Sequence, residues 1–497
     1  MKQDNLLLRI DKRDSVAVAL ADLPCSASLE AGGIAVTLKE DIPFGHKVAL
    51  YPVKKGENVI KYGAAIGHAT EDIEKGSWVH THNLATNLSE HLEYGYDPVH
   101  YEAPEKSEMT FEGYLRHDGR AATRNEIWII PTVGCVNRTA ENIAKLAQER
   151  FAGMTDGIFA FTHNMGCSQM GEDMERTERI LAGLADNPNA AGVLILSLGC
   201  ENCNLDSFMP FVKDRGSRRI KTLVCQEVED ETEEALKLIG ELVKYASGFK
   251  RQTLPLSGIT LGFKCGGSDA FSGITANALC GKLNDVLCAS GASTMLTEVP
   301  EMFGAETFLM ERAASEEVFN DIVGLINGFK AYYTGHGQTV YENPSPGNKK
   351  GGITTLEEKS LGCIQKGGHA EVNGVLEMGS SIKSKGLHLL TGPGNDQVSC
   401  TNLTASGANL IIFTTGRGNP YGAPVPTVKL ASNSRLAEKK HGWIDFSAGG
   451  LIENSTFEEL TEEFLRYICD VASGRVMAKN EINGYREISV FRDGVIL

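Results

Sequence analysis

The sequence predicts a multidomain chain: a small all-β domain, then α/β domains with mostly parallel sheets. Three observations carry this. Residues 1–97 hold short alternating apolar runs broken by turn pairs such as Ala31-Gly32-Gly33 and Lys55-Gly56-Glu57. Three later apolar runs, Ile127–Ile130, Gly157–Phe161 and Gly192–Leu196, each lead into a Gly-Cys pair: Gly134-Cys135, Gly166-Cys167 and Gly199-Cys200. Residues 258–497 then resume the alternation of apolar runs and amphipathic stretches that marks strand–helix units.

In chain order, the first domain places strands at Leu6–Ile10, Ile34–Leu38, Lys47–Tyr51 and Trp78–His80. Residues 98–112 are polar, contain Pro104 and show no period, so they read as a linker. Residues 113–248 form an α/β domain whose helices are Asn137–Arg150, Met170–Asp186 and Val228–Ala246. The cysteines Cys135, Cys167 and Cys200 recur 32 and 33 residues apart, the length of one strand–helix–strand unit, roughly 30 residues. The three should therefore stand at the carboxyl ends of parallel strands, where open α/β sheets bind ligands. A polar break, Ser247–Ser257, precedes the last α/β domain, 258–497. Its expected strands are Ile259–Lys264, Thr294–Glu298, Leu387–Thr391, Leu410–Thr414, Val428–Leu430 and Glu487–Phe491, and its helices include Glu306–Phe329 and Thr456–Ala472.

Composition narrows the function. A chain of 497 residues with a net charge of −16 is a poor partner for nucleic acid or an anionic membrane surface. Met1–Asn5 lacks a signal-peptide core, and no run reaches the ~18 apolar residues of a membrane helix, so a cytoplasmic protein is expected. There the twelve cysteines stay reduced and serve metal or catalytic roles more readily than disulfides. Cys25, Cys280, Cys288, Cys400 and Cys469 lie in no motif and read as small buried hydrophobes.

Four clusters could carry chemistry. His46-Lys47, Lys61-Tyr62 and His80-Thr81-His82-Asn83 gather imidazoles and amides in the first domain, able to bind a carboxylate or a metal, or to move protons. The three Gly-Cys pairs, with His163 nearby, could hold an iron or an iron–sulfur cluster with one open site. Cys200-Glu201-Asn202-Cys203 alone is a weak redox motif. Glycine-rich strand ends, Lys264–Asp269, Thr391–Asp396 and Thr415–Pro420, suit an oxyanion beside Arg417. None completes G-x-G-x-x-G, so no NAD is expected. Glu298-Val299-Pro300-Glu301 sets two carboxylates at a strand end, and Asn343–Lys349 and Ser360–Gly368 read as long loops.

Taken together, His46-Lys47, His80–Asn83, Thr123–Glu126, the three Gly-Cys pairs, Cys265–Asp269, Ser272–Asn277, Thr297–Gly304, Asn343–Lys349 and Arg417-Gly418 resemble the galactarate/altronate dehydratase family over nearly the full length. The resemblance implies an SAF-type β-clip first domain and a Rossmann-like variant as the last. It implies a hydro-lyase of hexuronate catabolism, dependent on iron or manganese, that removes water from a sugar acid. The His80–Asn83 run favours D-altronate as substrate and 2-keto-3-deoxy-D-gluconate as product. Galactarate dehydration and sulfolactate sulfo-lyase activity are the enzyme alternatives; a sugar-acid sensor is the non-enzyme one.

On that reading, iron is assigned to Cys135, Cys167 and Cys200 with Cys265 auxiliary. Glu298, Glu301 or Asp269 are harder ligands for a single ion. His163, His80, His82 and Lys47 are the acid/base candidates. His46, Asn83, Arg124, Asp269 and Arg417 are expected to hold the anionic substrate. The first domain is expected to close over the α/β site, and a homodimer is expected.

Overall fold

The structure, a computed structural model, describes residues 6–88 and 94–497. Met1–Asn5, read above for a signal sequence, lies outside the described residues. No described helix is long and apolar enough to cross a membrane.

The first domain is all-β. Leu7–Leu8, Val16–Ala19, Lys47–Ala49 and Trp78–Val79 form one antiparallel sheet, Ser28–Ala31 and Ile34–Thr37 a hairpin, and Asn58–Lys61, Ala64–Ala69 and Leu84–Ala85 a third sheet. The Asn58–Ala69 hairpin turns through two residues, Tyr62 and Gly63, at φ 60° and 72°. That geometry matches the twist of paired strands, and a non-glycine residue accepts it at a cost. The turn puts Lys61 and Tyr62 at a projecting tip.

The segments read from sequence as linker and polar break contribute strands. Thr110–Leu115 pairs with both Ala121–Ala122 and Arg251–Pro255 in a small antiparallel sheet. Polar residues on both strands hid them, because one face of this ribbon is exposed.

In the second domain Ile158–Ala160, Glu126–Pro131, Ala190–Ser197 and Ile220–Val224 lie side by side, all parallel. Successive residues of a strand face opposite ways, and both faces are covered. Ile127 and Ile129 pack under the helices Asn137–Arg150 and Glu231–Ala246, while Trp128 and Ile130 pack with Leu181 and Leu184 of Gly171–Asp186. The helix Glu231–Ala246 starts where the Asp230 side chain accepts from the Glu233 N–H, with Glu231, Glu233 and Glu234 in its first turn. A cap of this kind is worth about 1 kcal/mol, and acidic residues there favour the helix dipole.

The last domain is a seven-stranded parallel sheet in the order Val372–Leu376, Gly386–Leu390, Ser293–Leu296, Thr260–Cys265, Leu410–Thr415, Thr427–Ala431, Phe446–Ser447. The chain builds outward on one side of Thr260–Cys265, then returns to its other side. Ligands of open α/β sheets bind at such reversals. Val372–Leu376 was missed because four of its five residues are at least partly exposed and a glycine interrupts it. Glu487–Phe491 joins no sheet; Ile488 and Val490 are buried and account for the apolar pattern. The single helix expected at Glu306–Phe329 is two, Thr307–Met310 and Glu316–Gly335, the second begun by the Ser315 cap.

The three units share cores. Trp128 and Ile195 of the second domain pack in one cluster with Leu403 and Phe413 of the last, and Val59 and Ile66 of the first domain share another with Phe263 and Leu361. Cys280, Cys400 and Cys469 are buried as expected, but Cys25 is exposed.

Candidate metal and substrate site

One group of donors stands out. Cys265 ends the central strand. Glu298 and Glu301 follow the neighbouring strand, and Cys363 ends the helix Leu356–Cys363. Their ligand atoms lie within 4.8 Å of one another, and among the described residues this is the one such set of three or more His, Cys, Asp or Glu. Cys265 Sγ is 3.2 Å from Glu301 Oε2, 3.5 Å from Glu298 Oε1 and 3.7 Å from Cys363 Sγ. A tetrahedral ion with bonds of 2.1–2.3 Å sets its ligands about 3.4–3.8 Å apart, so these residues fit a four-coordinate divalent ion. Two thiols with two carboxylates suit ferrous iron or zinc better than magnesium or calcium.

Local backbone explains the convergence. Glu298 is left-handed at φ 69° and Pro300 opens the short helix Val299–Glu301, which turns both carboxylates back toward the strand end. Three ammoniums surround the set. Lys264 and Lys366 donate to Glu298, the latter at 2.7 Å, and Lys359 pairs with Glu301 at 2.8 Å. Lys366 also lies 3.1 Å from Cys363 Sγ, and Lys264 pairs with Asp396 at 3.1 Å. Burial would raise the Glu301 carboxyl, but Lys359, Lys264 and Lys366 override it and hold it well below the usual range. Two glutamates and Asp396 balance three lysines, so a divalent ion entering here is matched by the loss of two thiol protons.

The set opens on a narrow cavity of about 10 Å³, room for a single water. Cys265, Cys363, Asp269, Lys359 and Glu358 line it from the last domain, Lys61 and Tyr62 from the first. A Cβ on Gly273 would stand 2.6 Å from the Tyr62 hydroxyl and 2.6 Å from the Cα of Gly362, so paired glycines make room for the hairpin tip. Glu358 binds that tip. It accepts from Lys61 at 2.7 Å and Lys47 at 2.9 Å, all three side chains being buried. Lys47 also donates to the Gly352 carbonyl at 2.8 Å. Burial pulls Lys47 down to about 8 although Glu358 opposes the change.

The expected site residues fall in several places. Lys47 and Asp269 belong to this region. Asp269 accepts from Ser272 N, Ser272 Oγ, Ser432 Oγ and Asn433 Nδ2 at 2.8–3.1 Å, so its oxygens organise the loop. Arg417 is exposed near it, donating to the Gly347 carbonyl at 3.1 Å. His46 and His80 stack at 5.0 Å against the segment 345–352. His80 Nε2 donates to the Lys349 carbonyl at 3.0 Å, and burial lowers its pKa although that bond opposes the change. Burial, with His80 and Lys47 nearby, lowers His46 to about 4. His82 lies in a turn beyond the strand, its ring 5.4 Å from Trp78, against which His80 also packs at 5.1 Å. Asn83 is spent inside that turn, accepting from His80 N and donating to the Trp78 carbonyl.

Two expectations are corrected by geometry. His163 accepts the Met165 N–H at Nδ1 and donates from Nε2 to the Pro131 carbonyl at 2.7 Å. Both ring nitrogens are used by backbone, so it is a buried brace and not a free base. Arg124 is buried in an ion pair with Glu481 at 2.7 Å and donates to the Thr123 and Val471 carbonyls. It is a strut between domains and does not face the cavity.

The cysteine assignment is also revised. Cys135, Cys167 and Cys200 do stand beyond adjacent parallel strands, all exposed. They do not meet the 4.8 Å mutual spacing of a single-ion site, and Cys265 belongs to the other set. Cys363, Glu358 and the three lysines were not singled out as site residues. Thr355-x-x-Glu358 carried a signal, since it has the spacing of a helix start. Thr355 does cap Leu356–Cys363, accepting from Glu358 N, where a loop was read.

Comparison with known proteins agrees along the whole chain. Residues 5–87 match the altronate/galactarate dehydratase SAF domain, 113–247 the second domain of D-galactarate dehydratase/altronate hydrolase, and 256–496 the D-galactarate/altronate dehydratase C-terminal domain. The chain is 49% identical over 498 residues to the altronate dehydratase of Bacillus subtilis (strain 168), covering 99% of each. It is 45% identical over 493 residues to that of Escherichia coli (strain K12), again covering 99% of each. The galactarate dehydratase (L-threo-forming) of Escherichia coli (strain K12) is 31% identical, covering 97% of this chain and 96% of its own. With three successive domains and full-length relatives in agreement, the chain belongs to the galactarate/altronate dehydratase family.

Proposed function

We propose that this chain dehydrates D-altronate to 2-keto-3-deoxy-D-gluconate in the cavity between its first and last domains. The observation that carries the site is the Cys265, Glu298, Glu301, Cys363 set opening on a cavity walled by Lys61, Tyr62 and Lys359. The reaction takes a proton from C2 and hydroxide from C3; together they leave as water, and the enol formed becomes the 2-keto acid. The difficulty is the C2 proton, because the adjacent carboxylate is already anionic. A divalent ion bound to the four donors, ferrous iron on this reading, would supply Lewis acidity toward the substrate's oxygens.

The chain's own residues do the rest. The Lys61 and Lys359 ammoniums face the cavity and attract the substrate carboxylate. The C2 proton is given to the Lys47–Glu358–Lys61 triad, because Glu358 lines the cavity and Lys47 behind it titrates near working pH. The Tyr62 hydroxyl is the nearby neutral donor for a departing hydroxide. A sugar acid exceeds the space of one water, so the hairpin tip must withdraw to admit it and return to exclude solvent. The order reversal beside Cys265 supports reading the last domain as a Rossmann-like variant. Twelve free thiols suit a reducing cytoplasm. A homodimer belongs to the same reading, and light scattering tests it.

The test is turnover. Protein purified without oxygen is given altronate with ferrous iron, with manganese and with no metal, and 2-keto acid is followed. Formation of 2-keto acid with altronate, faster than with galactarate, supports the proposal. No 2-keto acid under any metal condition rejects it.

A further inference from the structure

A second cavity opens at the far end of the strands that carry the donor set, and the reaction above does not use it. We propose that this cavity, between the second and last domains, binds a phosphoryl group, free or as a small phosphate monoester.

Position separates it from the substrate site. Thr260 begins the strand that Cys265 ends, and Ser293 begins the strand that leads to Glu298. Both line the cavity, as do Ser384 and Lys385, which precede Gly386–Leu390. At about 3.3 Å per residue the two ends of Thr260–Cys265 lie roughly 17 Å apart. Gly119, Arg120 and Pro188 line it from the second domain. Its volume is about 190 Å³, enough for a small organic anion, where the cavity at the donor set holds one water.

Charge selects the ligand. No carboxylate lines the cavity, although the chain carries a net charge of −16. Arg120, Lys383 and Lys385 do line it. Arg120 is already paired, with Asp118 at 2.7 Å and Asp186 at 3.1 Å. Lys385 donates to the Ser257 carbonyl at 2.6 Å; burial lowers its pKa, and no acidic neighbour opposes the change. Lys383 is exposed, and among the described residues it pairs with no carboxylate. Two ammoniums are thus left for an anion, which matches the charge of one phosphate monoester.

Polar donors complete the site. Ser406 is buried in the cavity wall, and its Oγ has no hydrogen-bond partner. A buried hydroxyl left unpaired costs stability; a bound phosphoryl oxygen would accept from it. Among the described residues, the N–H groups of Lys383, Ser384 and Lys385 donate to no protein acceptor, and free backbone N–H groups suit phosphate. The helix Asp396–Ala405 ends here, but its last carbonyls are taken. Thr404 O accepts from Asn187 Nδ2 at 2.8 Å and Ser406 O from Ile382 N at 3.0 Å. They do not oppose an anion with free lone pairs.

The test uses the full chain without substrate or added metal. Inorganic phosphate and glycerol 3-phosphate are titrated by calorimetry at fixed ionic strength, then again with altronate present. Saturable binding that altronate does not displace is expected. Tighter binding of the ester identifies an organic ligand, and equal binding identifies free phosphate. Lys383→Ala and Lys385→Ala should each weaken binding about tenfold or more, the loss of a charged hydrogen bond. Ser406→Ala should weaken it severalfold with a urea midpoint at or above the parent's, because that hydroxyl has no partner to lose. Lys383→Ala, an exposed position, still decides the matter if Lys385→Ala fails to fold. Lys440→Ala, on a lysine that stacks over Trp443, should leave binding unchanged. No saturable binding of either probe, displacement by altronate, or an equal loss in Lys440→Ala overturns the proposal, as does binding undiminished in the two cavity-lysine variants. Because binding is read without turnover, the result is independent of whether altronate is dehydrated.

Discussion

Removing the charge of Glu358 should loosen the first domain. Glu358 carries two ammoniums, Lys47 and Lys61, in a place where all three side chains are at most 1% exposed. Gln at this position keeps an oxygen for the Thr354 N–H and hydroxyl, so the change is one of charge. Lys47, already at about 8 with the carboxylate present, would then be neutral at pH 7. Lys61 would remain as one uncompensated buried charge, and leaving such a charge costs about 3–5 kcal/mol. Glu358→Gln should therefore unfold at lower urea concentration by that amount. Amides of Lys47–Ala49 and Ala64–Ala69 should exchange hydrogen faster than those of the second-domain sheet. Lys61→Met in the same chain removes the orphan charge and should recover much of the loss. Unfolding within about 0.5 kcal/mol of the parent, or no recovery in the double variant, would refute the latch.

The same triad sets a pH dependence. Burial raises the Glu358 carboxyl, but Lys47 and Lys61 outweigh it and hold it below the usual range. A lowered carboxylate stabilises the fold above its unfolded value of 4.5, and that stability is lost as pH falls below it. Lys47 is lowered from 10.5 to about 8, so between those values the unfolded chain binds more protons and stability rises with pH. Tyr62, the other titratable group against this triad, is raised by burial and stays neutral there. In Glu358→Gln the acid-side loss should shrink, as urea midpoints from pH 3 to 9 would show.

Other outcomes follow from the geometry. Cys265→Ser and Cys363→Ser should each leave folded protein with most of its tightly held divalent metal gone, read by elemental analysis after dialysis; undiminished metal would move the donors elsewhere. Arg124→Met should cost about 1.5–3 kcal/mol, because Glu481 loses its charged hydrogen bonds to Arg124 but keeps Arg486 at 3.3 Å, yet leave KM for altronate unchanged in the folded fraction; a tenfold rise in KM would restore Arg124 as an anion clamp. His163→Gln should lower stability by about 1–3 kcal/mol through unsatisfied backbone groups without shifting the pH profile of kcat, and a lost limb in that profile would make it a base after all.

The second-domain sheet was legible because its signals are local and repeated. Ile127–Ile130 and Gly192–Leu196 are buried on both faces and so read as continuous apolar runs, and Gly-Cys recurs beyond three of the four strands; the fourth, Ile220–Val224, has no such pair and half-exposed polar positions, and was not read. The helix Asn137–Arg150 was read to its ends because Ala140, Ile143, Ala144 and Ala147 mark one face. The donor set gave no such signal. Cys265 and Cys363 lie 98 residues apart, and nothing in either local pattern says that two thiols will meet. Its lysines were equally hidden. Lys264, Lys359 and Lys366 are spaced like surface charges, and only the fold turns them onto Glu298 and Glu301.

Backbone strain ties the Cys167 loop and the buried set together more directly than sequence does. Among the described residues, four that are not glycine adopt positive φ: Ser26, Tyr62, Ser168 and Glu298. Such residues cost about 1–3 kcal/mol each and persist only where the surroundings over-determine them. Tyr62 is the hairpin tip at the cavity, Glu298 a donor, and Ser168 follows Cys167. If the Cys167 loop were a plain strand-to-helix turn, Ser168→Gly would relieve the strain and stabilise the protein by about 0.4–1 kcal/mol or cost nothing. The Ser168 N–H reaches Asn202 Oδ1 at 2.8 Å, and glycine keeps that donor, so a urea midpoint below that of the parent would show that the serine side chain itself holds the turn.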